Sequence, residues 1–352
     1  MGDDEKSSKT PKRIEPARAV DYRGHVPDWV IEAINTQLAI DSEDARRAGT
    51  VGYMARALVQ ATLPYRDPKV DVFTRRNGTF TLRISAGYEG GIPYGIYPRL
   101  LTSWVATEAV RTQSPEIELG DSLSSFLREV LELGSRGGGK RGSASRVSEQ
   151  MKRLFGAAIS AQDTRRGFEV RNITLVDYAS VSDATFQRID QAVGYRAIKS
   201  DAPTVDKDDA PMLWTPQAIE HAGQWRSRLV LTHAFFSECT TSPVPIDLRA
   251  YKALRGSALA MDIYAWLTYR MSYLRQQSLP IPWEALMFQF GTGFKADRGP
   301  QAVRDFRRDF LRALKTVLLV YPTAQVSYTS SGLVLQPSAP HVPMTQQFLK
   351  LD

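Results

Sequence analysis

Residues 300–321 read PQAVRDFRRDFLRALKTVLLVY, and the way this stretch divides into two faces decides the fold. Val303, Phe306, Phe310, Leu314 and Val317 recur at the 100° step of an α-helix, the stripe of a helix packed on a core. Gln301, Arg304, Arg308, Arg312 and Lys315 gather within about 80° on the opposite side. Asp305 and Asp309 lie beside them, at spacings that let them pair with Arg312 and its neighbours and hold them in place. A planar guanidinium can make two hydrogen bonds to guanine in the major groove, so this face suits base reading as well as phosphate binding.

Working outward, the preceding TGFKADRG (292–299) is a turn carrying Lys295 and Arg298, both added to the candidate DNA contacts. Before it, LPIPWEALMFQFG gives a short extended segment and then a helix opened by Pro282, and SALAMDIYAWLTYRMSYL a further helix. After it, AQVSYTSSGLVLQ predicts a hairpin with Val326 and Tyr328 facing Leu333 and Leu335. Helix, strand, helix, turn, helix and hairpin is the order of a winged helix, a helix-turn-helix with a β-wing.

The first half repeats that order without visible sequence identity. YPRLLTSWVATEAVRT is a helix, EIEL a short strand, SLSSFLREVLEL a helix with Asp121 as its N-cap, GSRGGGKRGS (134–143) a turn and SASRVSEQMKRLFG a second amphipathic helix. AAISAQ and FEVRNITLV flank DTRRG as a hairpin. The helix buries Val147, Met151, Leu154 and Phe155 and turns Ser145, Arg146, Glu149, Lys152 and Arg153 outward. With Arg136, Lys140 and Arg141 in the turn and Arg165 and Arg166 in the wing, turn, helix and wing all face one phosphate backbone.

The expected fold class is therefore α+β, mainly helical, with two tandem winged-helix domains. Residues 1–25 are charged and nearly free of large apolar side chains and are expected as a disordered tail. The first domain is placed at 26–190, where TFTLRIS supplies an early strand. KSDAPTVDKDDAP marks a linker or exposed loop over 191–225. The second domain, opened by RLVLTHAFF as a strand, covers 226–343 and leaves a tail of 344–352.

The turn GSRGGGKRGS matches the start of a phosphate-binding P-loop, but Arg141 stands where Mg²⁺ binding needs a hydroxyl, and a helix precedes it where a buried strand is required. A cationic hinge between two helices fits better. The formal charge of +7 over 352 residues is compatible with an anionic partner. Cys239 is the single cysteine, which rules out an internal disulfide or a cysteine-rich zinc site and fits a cytoplasmic setting. The four histidines are scattered, with no metal-binding spacing, which disfavours a metal-dependent nicking enzyme. No apolar run is long enough to cross a membrane. The reading is a non-catalytic protein with no cofactor and no metal.

Taken with GIPYGIYPRLLTSWVATEAVRTQSPEIELGDSLSSFLREV, GGKRGSASRVSEQMKRLF, PVPIDLRAYKALRGSALAMDIYAWLTYRMSYL, IPWEALMFQFG and VRDFRRDFLRALKTVLLVYP, the chain resembles the plasmid replication initiators of the RepA type. The resemblance implies two winged helices in tandem, with the last helix of the second in the major groove of repeated origin sequences (iterons). It makes Arg304, Arg307 and Arg308 the leading contacts. For the first domain it implies either contact with the adjacent groove or a homodimer interface. It further implies that dimers repress their own promoter, while monomers open an AT-rich region and recruit the host initiator and replicative helicase. The competing reading is a transcription regulator built on the same two winged helices, without origin melting.

Overall fold

The computed structural model describes residues 11–18, 27–119, 143–165, 167–180, 228–291 and 299–343. Its organisation follows from one pairing across the middle of the chain. Strand β2 (Val51–Met54) runs antiparallel to β10 (Val244–Asp247), Val244 opposite Met54 and Asp247 opposite Val51. Each strand stands in the same local order. Helix α1 (Asp28–Ser42) precedes β2 and α2 (Arg56–Gln60) follows it; α5 (His233–Thr241) precedes β10 and α6 (Leu248–Ala253) follows it. Two equivalent strands paired antiparallel relate their halves as a local two-fold axis does.

The halves also exchange helices. α1 packs on α6 and on α9 (Pro300–Val320), while α5 packs on α3 (Ile96–Thr112). Buried side chains from both halves, among them Leu101, Val105, Phe235, Tyr264, Phe306 and Leu333, accordingly belong to one core.

Within each half a helix leads into a three-strand group of the same order. In the second, α7 (Ala258–Tyr273) leads to β11 (Ile281–Pro282), α8 (Trp283–Phe290), α9, β12 (Val326–Tyr328) and β13 (Gly332–Leu335), and β13 lies between β11 and β12. Val326 opposes Leu335 and Tyr328 opposes Leu333, the register that the alternation of apolar residues predicts. In the first, α3 leads to β5 (Glu116–Glu118), α4 (Ser143–Phe155), β8 (Val176–Ser180) and β9 (Arg228–Leu231), and β9 lies between β5 and β8. The helix expected between β5 and α4, and the turn after it, lie outside the described residues.

This arrangement corrects three expectations. β9, placed by the sequence at the start of the second domain, completes the sheet of the first: Leu229 pairs with both Ile117 and Ala179. Only the RLVL of RLVLTHAFF is strand, because the Thr232 hydroxyl accepts from the Phe235 amide at 3.1 Å and caps α5. FEVRNITLV is likewise strand only in part, with β8 beginning at its last residue, Val176. Its first part, β7 (Glu169–Asn172), pairs with β6 (Ala158–Asp163), and β6 extends a hairpin of β3 (Val72–Asn77) and β4 (Phe80–Ser85).

The third correction is at the N-terminus. Lys12–Arg13 forms strand β1 on the outer edge of β12, with Lys12 opposite Tyr328 and Arg13 opposite Ser327. Ile14, nearly the only large apolar residue there, is buried, and its burial holds this piece of the supposed tail. Residues 1–10 and 19–26 lie outside the described residues, as does the stretch 191–225.

Candidate nucleic-acid interface

α9 is positioned by its apolar face. Phe306 and Phe310 stack edge-on or tilted at 5.5 Å, Phe310 meets Phe290 of α8 at 5.5 Å and Trp283 at 6.2 Å, and Leu314 and Val317 are fully buried. Gly299, at a φ of 56°, supplies the left-handed residue that lets the chain enter the helix with Pro300 in its first turn.

The opposite face is open. Gln301, Arg304, Arg308 and Arg312 are exposed, Arg308 by 61% and Arg312 by 74% of their side-chain surface. They form a chain along the helix. Arg304 donates to the Gln301 side-chain Oε1 at 2.9 and 3.1 Å, and the Gln301 side-chain amide nitrogen donates in turn to Asp305 at 3.2 Å. Arg308 bridges Asp305 at 3.1 Å and Asp309 at 3.2 Å, while Arg312 approaches Asp309 at 3.6 Å. Each exposed pair contributes at most about 1 kcal/mol to stability. Its larger effect is to narrow the positions that the guanidinium occupies before a ligand arrives.

Two expected members of this face sit differently. The Arg307 guanidinium lies between the Trp283 and Tyr328 rings, 5.4 and 5.3 Å from their centroids. It is therefore not beside Arg304 and Arg308: one residue is a 100° turn, and that turn carries Arg307 towards the hairpin. Lys315 is half-buried, and its carbonyl accepts from the Ala17 amide at 3.1 Å, so the N-terminal segment runs along this end of the helix.

α4 departs further from its amphipathic pattern. Val147, Met151 and Leu154 are buried as expected, but so are Ser145, Ser148 and Gln150. Arg153 keeps only 11% of its side chain exposed. It donates to Glu149 at 2.8 Å, to Asp67 at 3.2 Å and to the Ile92 carbonyl, and stacks on Tyr94. The cover comes from the loop before α3: Gln150 accepts from the Tyr94 amide, the Tyr88 hydroxyl donates to Glu149, and the Gly87 and Gly156 backbones come so close that a Cβ on Gly87 would meet the Gly156 carbonyl at 2.0 Å. Ser145 and Arg153 thus serve packing instead of an outward face. Arg146 remains exposed, with its guanidinium over Tyr97, and Lys152 is half-exposed.

In the β6–β7 hairpin, Arg165 is exposed and donates to Asp163 at 2.6 and 2.9 Å, holding that carboxyl down at about 2. Lys140, Arg141, Arg166, Lys295 and Arg298 lie outside the described residues. Among the described residues there is no cluster of metal ligands and no helix long and apolar enough to cross a membrane.

The sequence missed how Arg307 is held. The signal was present as Trp283 and Tyr328, but nothing in their spacing brings both rings to one arginine.

A family model described as plasmid encoded RepA protein matches residues 92–191 and 184–284, a little over half of the chain. These segments end before α9, so its arginine ridge is identified by geometry. Among solved structures the chain is similar to the crystal structure of selenomethionine derivatives of domain 2 and domain 3 of RctB, at a TM-score of 0.45 and 11% identity over 80% of this chain and 97% of that one. No curated protein matches the chain.

Proposed function

The chain belongs to the family of plasmid-encoded RepA proteins, and on that premise we propose that it is a plasmid replication initiator, non-catalytic and cytoplasmic, that binds repeated origin DNA through two tandem winged helices. In this reading α9 is the recognition helix, α8 the helix that supports it, and the β12–β13 hairpin the wing. The exposed row of Arg304, Arg308 and Arg312 on a helix whose other face packs into the core through Phe306, Phe310, Leu314 and Val317 carries the proposal. Such a row can lie in the major groove, its guanidiniums shared between guanine edges and phosphates.

The first half takes the smaller part in binding on this view, because Ser145 and Arg153 are engaged within the fold and Arg146, Lys152 and Arg165 remain. Joining both halves in one core fixes the spacing between their contacts. Binding of several copies to adjacent repeats then bends the duplex and strains easily unstacked AT-rich steps, which needs no hydrolytic residue. Autoregulation and recruitment of a host initiator and helicase belong to the same proposal.

A footprint of the purified protein on its own plasmid origin tests it. Protected direct repeats at helical-turn spacing are expected; an unprotected origin rejects the reading. Permanganate reactivity of adjacent thymines separates an initiator from a transcription regulator, which would leave the AT-rich region closed.

A further inference from the structure

Lys12 and Arg13 take no part in the arginine row of α9, yet the chain folds back more than 300 residues to place them beside the wing. β1 is anchored by three interactions: its pairing with β12, the Ile14 amide donating to the Val326 carbonyl at 2.9 Å, and the Ala17 amide donating to the Lys315 carbonyl at 3.1 Å. The segment therefore spans from the hairpin to the flank of α9. Lys12 lies opposite Tyr328, where paired side chains of antiparallel strands are about 5 Å apart at Cβ, and the Tyr328 ring touches Arg307. Both Lys12 and Arg13 are exposed, Arg13 by 73% with Glu15 at 3.7 Å beside it.

A strand whose purpose was only to cover the β12 edge could carry any polar residue. Lysine at an edge is also an ordinary device against aggregation. Here, however, Lys12 stands on the face that carries Tyr328 and, against it, Arg307, where like charges repel, while Arg13 projects from the other face of the same edge beside Glu15. An anion along the same line reverses that balance.

We propose that residues 11–18 are a basic arm built into the wing, with Lys12 and Arg13 binding the DNA phosphates flanking the groove that α9 enters. This rests on the assignment of α9 as the DNA-contacting helix. Phosphate contacts position a protein without reading sequence, so the arm adds affinity and not base preference.

The test is the full-length Lys12→Ala/Arg13→Ala variant beside Arg308→Ala, each measured by fluorescence anisotropy on an origin-repeat duplex and on a scrambled duplex across a salt series. Ile14 is left in place, and an unchanged Tm verifies the fold. The double variant is expected to make the log Kd against log salt slope shallower by about 1.8, two contacts at about 0.9 each, on both duplexes, and to keep the ratio between them. If its slope matches wild type while Arg308→Ala weakens binding, the arm is only an edge cover and the inference fails with the reading of α9 intact. If neither variant changes binding, α9 is misassigned and the arm falls with it.

Discussion

Arg99 and Asp262 meet in two parallel hydrogen bonds of 2.8 and 2.7 Å, joining the first turns of α3 and α7, the equivalent helices of the two halves. Both side chains are buried. The remaining guanidinium N–H groups donate to the carbonyls of Leu63, Pro64 and Gly95, so all five donors of Arg99 are used. A buried pair satisfied to this degree fixes how one half sits on the other.

Removing one partner leaves an unpaired buried charge. Asp262→Ala is expected to cost about 3–5 kcal/mol, read from the denaturant midpoint, while Arg99→Met/Asp262→Leu together cost less than either single change. A double variant whose cost equals the sum of the two single costs would show that Arg99 and Asp262 are not coupled.

Arg308→Ala is expected to cost about 1–3 kcal/mol on the cognate repeat and to relax preference at the base that it contacts. Competition among single-base variants of the repeat measures both. Affinity and preference equal to wild type would remove α9 from the interface.

Asp305→Asn acts in the other direction on DNA of arbitrary sequence. The carboxylate that orients Arg308 also repels phosphate, so its loss should tighten binding to scrambled duplex while narrowing the ratio of specific to non-specific affinity. The two Kd values at one salt concentration decide this.

Arg307→Ala removes the cation between Trp283 and Tyr328, a loss of about 1–2 kcal/mol in stability. Arg307→Lys retains the charge but not the planar stacking, and should recover only part of it. Thermal unfolding of the three proteins orders them.

His341 supplies a pH dependence. Burial against Tyr321, whose ring stacks on it at 4.7 Å, pushes its pKa down to about 4 from 6.5, and its Nδ1 lies 2.6 Å from the Tyr264 hydroxyl. The unfolded chain then takes up a proton that the folded one refuses. Stability is complete above about pH 6.5 and falls as pH drops towards 4, by up to about 3 kcal/mol. In His341→Gln the difference in Tm between pH 7 and pH 5 should shrink; an unchanged difference would assign it to other groups.

Much of the second half was legible in the sequence. Val303, Phe306, Phe310 and Leu314 mark the buried side of α9 because helical period and burial are the same signal, and Val326 and Tyr328 fix the hairpin register because strand period is two. The outward arginines follow by subtraction. In α4 the same subtraction misleads: its polar side is covered by a loop some sixty residues earlier in the chain, which turns Arg153 from a surface cation into a packed one.

The sequence by itself determined which side of each amphipathic helix meets the core and the order in which helices, strands and hairpin follow. Only the tertiary structure decided that β9 closes the first sheet, that α1 and α5 trade places, that Arg307 is clamped between two rings and that Lys12 joins the β12–β13 hairpin. Periodicity is a local property, set by backbone geometry over a few residues. Which distant segment arrives to cover a polar face depends on packing the whole chain at once, and that leaves no period to read.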